Sequence, residues 1–145
     1  FFFDEAVMTG AGLKGRLTAA AIATGLGSFL AAAALPPTKY LLERFVVPKP
    51  GEGPSPKAQE QGNYDFRFYG KTAKGQAITV KVTGDRDPGY GSTAKILGEA
   101  AFCLAMETPK ADVKGGFWTP ATIFGERLTT RLQKHSGLTF EVIGG

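Results

Sequence analysis

Tyr64-Asp65-Phe66-Arg67-Phe68-Tyr69 and Ile78-Thr79-Val80-Lys81-Val82-Thr83 decide the fold, because both stretches alternate with a period of two. Successive side chains of an extended strand point to opposite faces. Tyr64, Phe66 and Phe68 therefore share one side of the first strand, and Ile78, Val80 and Val82 share one side of the second. Asp65, Arg67, Thr79, Lys81 and Thr83 take the opposite sides. Thr72-Ala73-Lys74-Gly75 between them has turn composition, which predicts an antiparallel hairpin. An isolated hairpin is marginal in water, so its apolar face requires a partner layer.

The residues that follow can supply that layer. Ser92 or Thr93 can cap a helix running to about Met106, with Ile96, Leu97, Ala100, Ala101 and Leu104 at helical spacing. Thr119-Pro120 starts a second helix: threonine caps, and proline sits in the first turn, where no amide partner is needed. Trp118 and Ile123 are spaced as a hydrophobic staple across that start. Phe124, Leu128 and Leu132 form its buried stripe, Gly137 ends it, and Leu138-Thr139-Phe140-Glu141-Val142 reads as a third strand. The expected fold over residues 63–145 is α+β, with the hairpin and last strand in one sheet and helices on one face.

Upstream, Pro48-Lys49-Pro50-Gly51-Glu52-Gly53-Pro54-Ser55-Pro56 suits neither helix nor central strand, and residues 48–62 read as an extended connector. Residues 1–47 form an apolar helical segment. From Leu17 through Thr38 there are 22 residues without a charge, flanked by Lys14 and Arg16 and by Lys39. The 19 residues Leu17–Leu35 would, as a helix, nearly cross a hydrocarbon layer of ~30 Å. Eight of them are alanine and two are glycine, which makes insertion marginal. Three readings stay open: a small-residue helix packed closely against another element, a helix that spans or lies on a membrane, and an irregular segment. Pro36 and Pro37 end it, and a short amphipathic helix follows over Tyr40–Phe45.

Composition narrows the chemistry. The chain has 145 residues, 43% hydrophobic and 21% charged, which suits one folded domain with a modest core. Cys103 is the one cysteine, so an intramolecular disulfide framework and cysteine-built metal sites are excluded. His135 is the one histidine, so a histidine-ligated metal or a Ser-His pair would have to rest on it alone. Cys103 reads as a small buried hydrophobe, and His135 as a contact at a helix C-terminus. The net charge of +4 is concentrated in residues 65–95, where six basic and three acidic residues leave an excess of three units. That is too little for a nucleic-acid face and better suited to a small anion.

Gly10-Ala11-Gly12-Leu13-Lys14-Gly15 matches G-x-G-x-x-G, but Asp4 and Glu5 precede it instead of a buried strand. The next acid after Glu5 is Glu43, so the ribose-binding acid expected about 20 residues on is missing, and the run reads as a glycine turn. The densest polar run is Gly84-Asp85-Arg86-Asp87-Pro88-Gly89-Tyr90-Gly91-Ser92-Thr93-Ala94-Lys95, between a strand end and a helix start. Free amides there, with the Ser92 and Thr93 hydroxyls and Lys95, could receive an anion. Equally, Asp85, Asp87 and Ser92 could satisfy turn and cap amides, and Arg86 could pair with its flanking aspartates.

Three motifs in this order carry a resemblance: Pro48-Lys49-Pro50-Gly51-Glu52-Gly53-Pro54; Gly84 to Lys95 followed by Leu97-Gly98-Glu99-Ala100; and Gly115-Gly116-Phe117-Trp118-Thr119-Pro120-Ala121. Together they resemble the C-terminal part of the saccharopine dehydrogenase-like oxidoreductases, a group that includes the trans-acting enoyl reductases. The resemblance implies a substrate-side, dimerising domain of an NAD(P)-dependent enzyme acting on an acyl or enoyl, lipid-like substrate. NAD(P) is then expected on a Rossmann domain of the same or another chain, with no cofactor or metal site in this one. On that basis Asp85, Arg86, Tyr90, Ser92, Thr93 and Lys95 are expected to line or shape the substrate cleft, with Trp118 as an apolar wall. The catalytic residues stay unassigned. The chain opens Phe1-Phe2-Phe3-Asp4-Glu5, without a basic n-region before an apolar core, so a signal peptide is not expected. The expected location is cytoplasmic, with membrane or lipid contact through residues 17–35 as the alternative. Nucleic acid is not expected as a partner.

Overall fold

In the computed structural model, which describes residues 2–111 and 113–144, the expected hairpin pairs Phe66 with Val82 and Phe68 with Val80. Strand β1 covers Tyr64–Lys71 and β2 covers Ala77–Gly84. The turn is closed by the Gly75 amide donating to Thr72 O and the Thr72 amide donating to Gln76 O, at 2.9 Å each. Strand β3, Leu138–Gly144, pairs antiparallel with β2, placing Leu138 beside Gly84, Phe140 beside Val82 and Val142 beside Val80. The sheet order is β1-β2-β3, and the α+β reading holds.

Two units make up the chain, Phe1–Glu52 and Gly53–Gly145. In the first, α1 (Gly12–Ala34) is followed by α2 (Pro36–Phe45). Leu35 between them is extended, at φ −100° and ψ 124°, as the ring of the next proline demands. Pro36 then opens α2 instead of merely ending α1, so α2 starts earlier than the expected Tyr40. The Thr38 hydroxyl donates to Ala32 O at 2.5 Å and to Leu35 O at 3.0 Å, satisfying carbonyls at the end of α1.

In the second unit, the stretch expected to be an extended connector carries a short helix, α3 (Pro56–Gln61). Ser55 Oγ accepts from the Ala58 amide at 3.2 Å, and Pro56 lies in the first turn. Helix α4 (Gly91–Phe102) continues into a π-helical turn, Cys103–Glu107. The second expected helix is broken in two, α5 (Pro120–Phe124) and α6 (Glu126–His135). The break is at Gly125, whose φ of 53° with ψ of −132° only glycine adopts without strain. Thr119 caps α5 as expected, its hydroxyl oxygen accepting from the Thr122 amide.

The core joins these helices to β3. Cys103, Phe124, Leu128, Leu132 and Leu138 are buried, with Ile96, Ala100, Ile123 and Phe140 packed around them. Residues paired across an antiparallel ladder lie on one face, so Leu138, Phe140 and Val82 mark the covered side of the sheet. Cover is confined to the Gly84–Leu138 end. Phe66, Phe68 and Val142 on that same face remain at least half exposed.

Candidate functional site

The β2–α4 junction is organised by Asp87. Its carboxylate accepts from the Gly91 amide at 2.6 Å, the Gly89 amide at 3.0 Å and the Tyr90 amide at 3.2 Å. These bonds, the one from Gly91 first, hold the Asp87 carboxyl below its ordinary pKa. The expectation of free amides awaiting an anion is therefore corrected: the chain supplies its own carboxylate at the start of α4. Ser92 and Thr93 do not cap the helix either. The Thr93 hydroxyl donates to Pro88 O at 2.7 Å, and Ser92 Oγ lies 2.8 Å from the Tyr64 hydroxyl.

The backbone of Asp87 ties in α3. Its amide donates to Gln59 O at 3.0 Å, and a Cβ at Gly62 would collide with the Asp87 backbone, so only glycine permits that approach. Arg86 reaches away from both flanking aspartates to Glu60, 3.7 Å off, which corrects the expected Arg86–aspartate pairing. Asp85 instead receives Lys95 Nζ at 2.9 and 3.1 Å, and the same ammonium donates to Ser136 O at 3.1 Å. Lys95 thereby links the start of α4 to the end of α6.

Asp85, Arg86, Tyr90, Ser92, Thr93 and Lys95 are thus brought together, but on unequal terms. Ser92 is only 1% exposed, so it shapes the junction and cannot meet a solute. Tyr90 and Thr93 are exposed, and the Tyr90 ring lies against Gly53. Trp118 sits elsewhere, on the loop before α5, with its indole N–H donating to Lys114 O at 3.0 Å. It borders a shallow cavity of about 550 Å³ with Val113, Lys114, Gly115, Thr122 and Ile123. Phe117 beside it is fully exposed.

A second cluster had no counterpart in the sequence reading. Arg131 of α6 donates through Nε to Glu99 at 2.7 Å and through Nη1 to Glu107 at 2.5 Å. Its guanidinium carbon stands 4.1 Å from the centre of the Phe102 ring. Partial burial acts to lower the Arg131 pKa, but the hydrogen bonds to Glu99 and Glu107 outweigh it and the net shift is upward. Glu107, Arg131, Lys134 and His135 border a shallow depression of about 410 Å³. Tyr64 was missed for the same reason as Arg131: each partner lies far along the chain. Asp87, by contrast, is legible in Asp87-Pro88-Gly89, and the reading in which it satisfies turn amides holds.

No described residues form a nucleotide cradle. Gly10–Gly15 follows no strand; instead α1 begins at Gly12 and takes Gly15 inside it, packed against the Gly10 carbonyl. Gly10 and Gly12, at φ 86° and 73°, turn the chain as expected just where α1 begins. This run does not fit a dinucleotide.

Fold and junction together define a small α+β domain that carries a self-capped strand-to-helix loop and an aromatic loop beside an open cavity. Several known proteins with similar sequences share one description. Over 91 residues the chain is 41% identical to a Mycobacterium tuberculosis protein provisionally assigned as a trans-acting enoyl reductase, covering 63% of this chain and 22% of that protein. It is 40% identical over 91 residues to a trans-acting enoyl reductase of Mycobacterium ulcerans, covering 63% and 21%. It is 38% identical over 94 residues to one of Mycobacterium bovis, covering 65% and 22%. The chain spans about a fifth of the length of these curated relatives. No family model and no solved structure matches.

Proposed function

We propose that this chain is the C-terminal, substrate-side part of an NAD(P)-dependent oxidoreductase that reduces an enoyl group on an acyl or lipid-like substrate. The observation that carries the reading is the 41% identity over 63% of the chain with a protein assigned as a trans-acting enoyl reductase. The three motifs resembling saccharopine dehydrogenase-like oxidoreductases agree with it. In this reading the nucleotide sits on a Rossmann domain of the same or another chain, and a homodimer is the expected assembly.

The chain's own residues then hold and shield the substrate. Tyr90, Thr93 and Arg86 offer polar contacts at the rim of the β2–α4 junction. Asp85, Ser92 and Lys95 keep that loop in shape. Trp118, with Val113 and Ile123, offers an apolar wall to an acyl chain. A stand-alone anion-binding module is not proposed, because Asp87 already occupies the amides such a module would use.

Two measurements test the reading. Titration of the isolated chain with NADPH is expected to show no binding, and a micromolar dissociation constant would overturn the division of labour. Joined to the nucleotide-binding domain, Trp118→Ala is expected to raise KM for a long-chain enoyl thioester about fivefold with kcat little changed. An unaltered KM would remove Trp118 from the substrate wall.

A further inference from the structure

We infer that α1 spans a lipid bilayer. Helix α1 contains 23 residues, and none of its apolar stretch is buried within the chain. From Leu17 to Ala34 the helix rises about 27 Å, close to a hydrocarbon thickness of ~30 Å. Lys14 and Arg16 in the first turns can extend along the helix to place their charges at the headgroups. At the other end α2 carries Lys39, Glu43 and Arg44, a net of one positive charge, with Glu43 paired 3.7 Å from Lys39. Both ends are therefore polar and net cationic, as anionic headgroups favour.

The side chains separate spanning from the alternatives. Ile22, Leu26, Phe29 and Leu30 crowd one side of α1, and Leu17 with small uncharged residues occupies the other. A helix lying in the interface needs a charged face for the headgroups, and α1 has none between Leu17 and Ala34. A cleaved secretory signal has an apolar core of about 7–15 residues, shorter than this one. A helix apolar all round must be enclosed, by protein or by lipid. Length and cationic ends favour lipid. This inference is independent of the enoyl reductase reading.

Reconstitution of the 145-residue chain from detergent into equimolar phosphatidylcholine and phosphatidylglycerol vesicles tests it. The chain is expected to float with the vesicles and to stay bound through molar salt and alkaline carbonate. Leu26→Lys should lower partitioning about a hundredfold, whereas Gln133→Lys on α6 should leave it unchanged. In a Trp118→Phe background, Leu26→Trp fluorescence should be quenched most by lipids brominated near the end of the acyl chain. A chain that remains monodisperse without detergent and does not float overturns the proposal. So does release by salt, pelleting as an aggregate, indifference to Leu26→Lys, or quenching strongest at the headgroup.

Discussion

Single side chains at the β2–α4 junction carry distinct costs. Tyr64→Phe leaves Ser92 Oγ buried without its 2.8 Å partner, whereas Ser92→Ala leaves the phenol near water. A stranded buried hydroxyl costs about 1–3 kcal/mol, so Tyr64→Phe should be the more destabilising substitution in urea unfolding. An equal or smaller loss would show that the pair does not hold the junction. Asp87 gives a pH signature. Its folded pKa lies below the ordinary 3.8, so its ionised form contributes stability that is complete above that value and is lost as pH falls through the folded pKa. Urea unfolding between about pH 6 and pH 2.5 should show the gap between the native chain and Asp87→Asn narrowing at the acid end. A constant gap would mean that the three amides do not favour the charge.

At the level of elements, the break between α5 and α6 is the most exacting feature. Gly125→Ala forces an L-residue into a backbone region that costs about 1–3 kcal/mol, although the added methyl would meet only open space. Thermal unfolding should report the drop, and a neutral result would mean that α5 and α6 can merge into one helix. One helix start was legible beforehand because its cause is local: Thr119 caps within three residues and Pro120 pre-sets the first turn. Pro36 and the Ser55-Pro56 pair carry the same local chemistry, but they stand in stretches that read as a helix end and an extended connector. The same locality explains the hairpin, whose period of two survives in the observed register. The π-helical turn over Cys103–Glu107 left no such mark, since its residues suit an ordinary helix equally well.

For the molecule as a whole, the core is narrower than a 43% hydrophobic composition suggests. Its buried members lie on the helices and on Leu138, while the far end of the sheet is open. Leu128→Ala should therefore cost about 2–5 kcal/mol, and Phe66→Ala, at a half-exposed position, less than about 2 kcal/mol. The reverse order would place the core on the sheet face instead. Sequence alone determined the strands, the Thr119 cap, the apolar helix and the α+β class, because periodicity and capping act within one or two turns of chain. It also brought forward Asp85 through Lys95 as one polar run, though without their partners. Only the tertiary structure decided that Arg86 turns to Glu60, that Lys95 bridges Asp85 to Ser136, and that Arg131 joins Glu99 to Glu107. The bridges from Lys95 to Ser136 and from Glu99 to Arg131 close over 41 and 32 residues. Charge and hydrogen-bond geometry select one partner among many only after packing has brought them within reach.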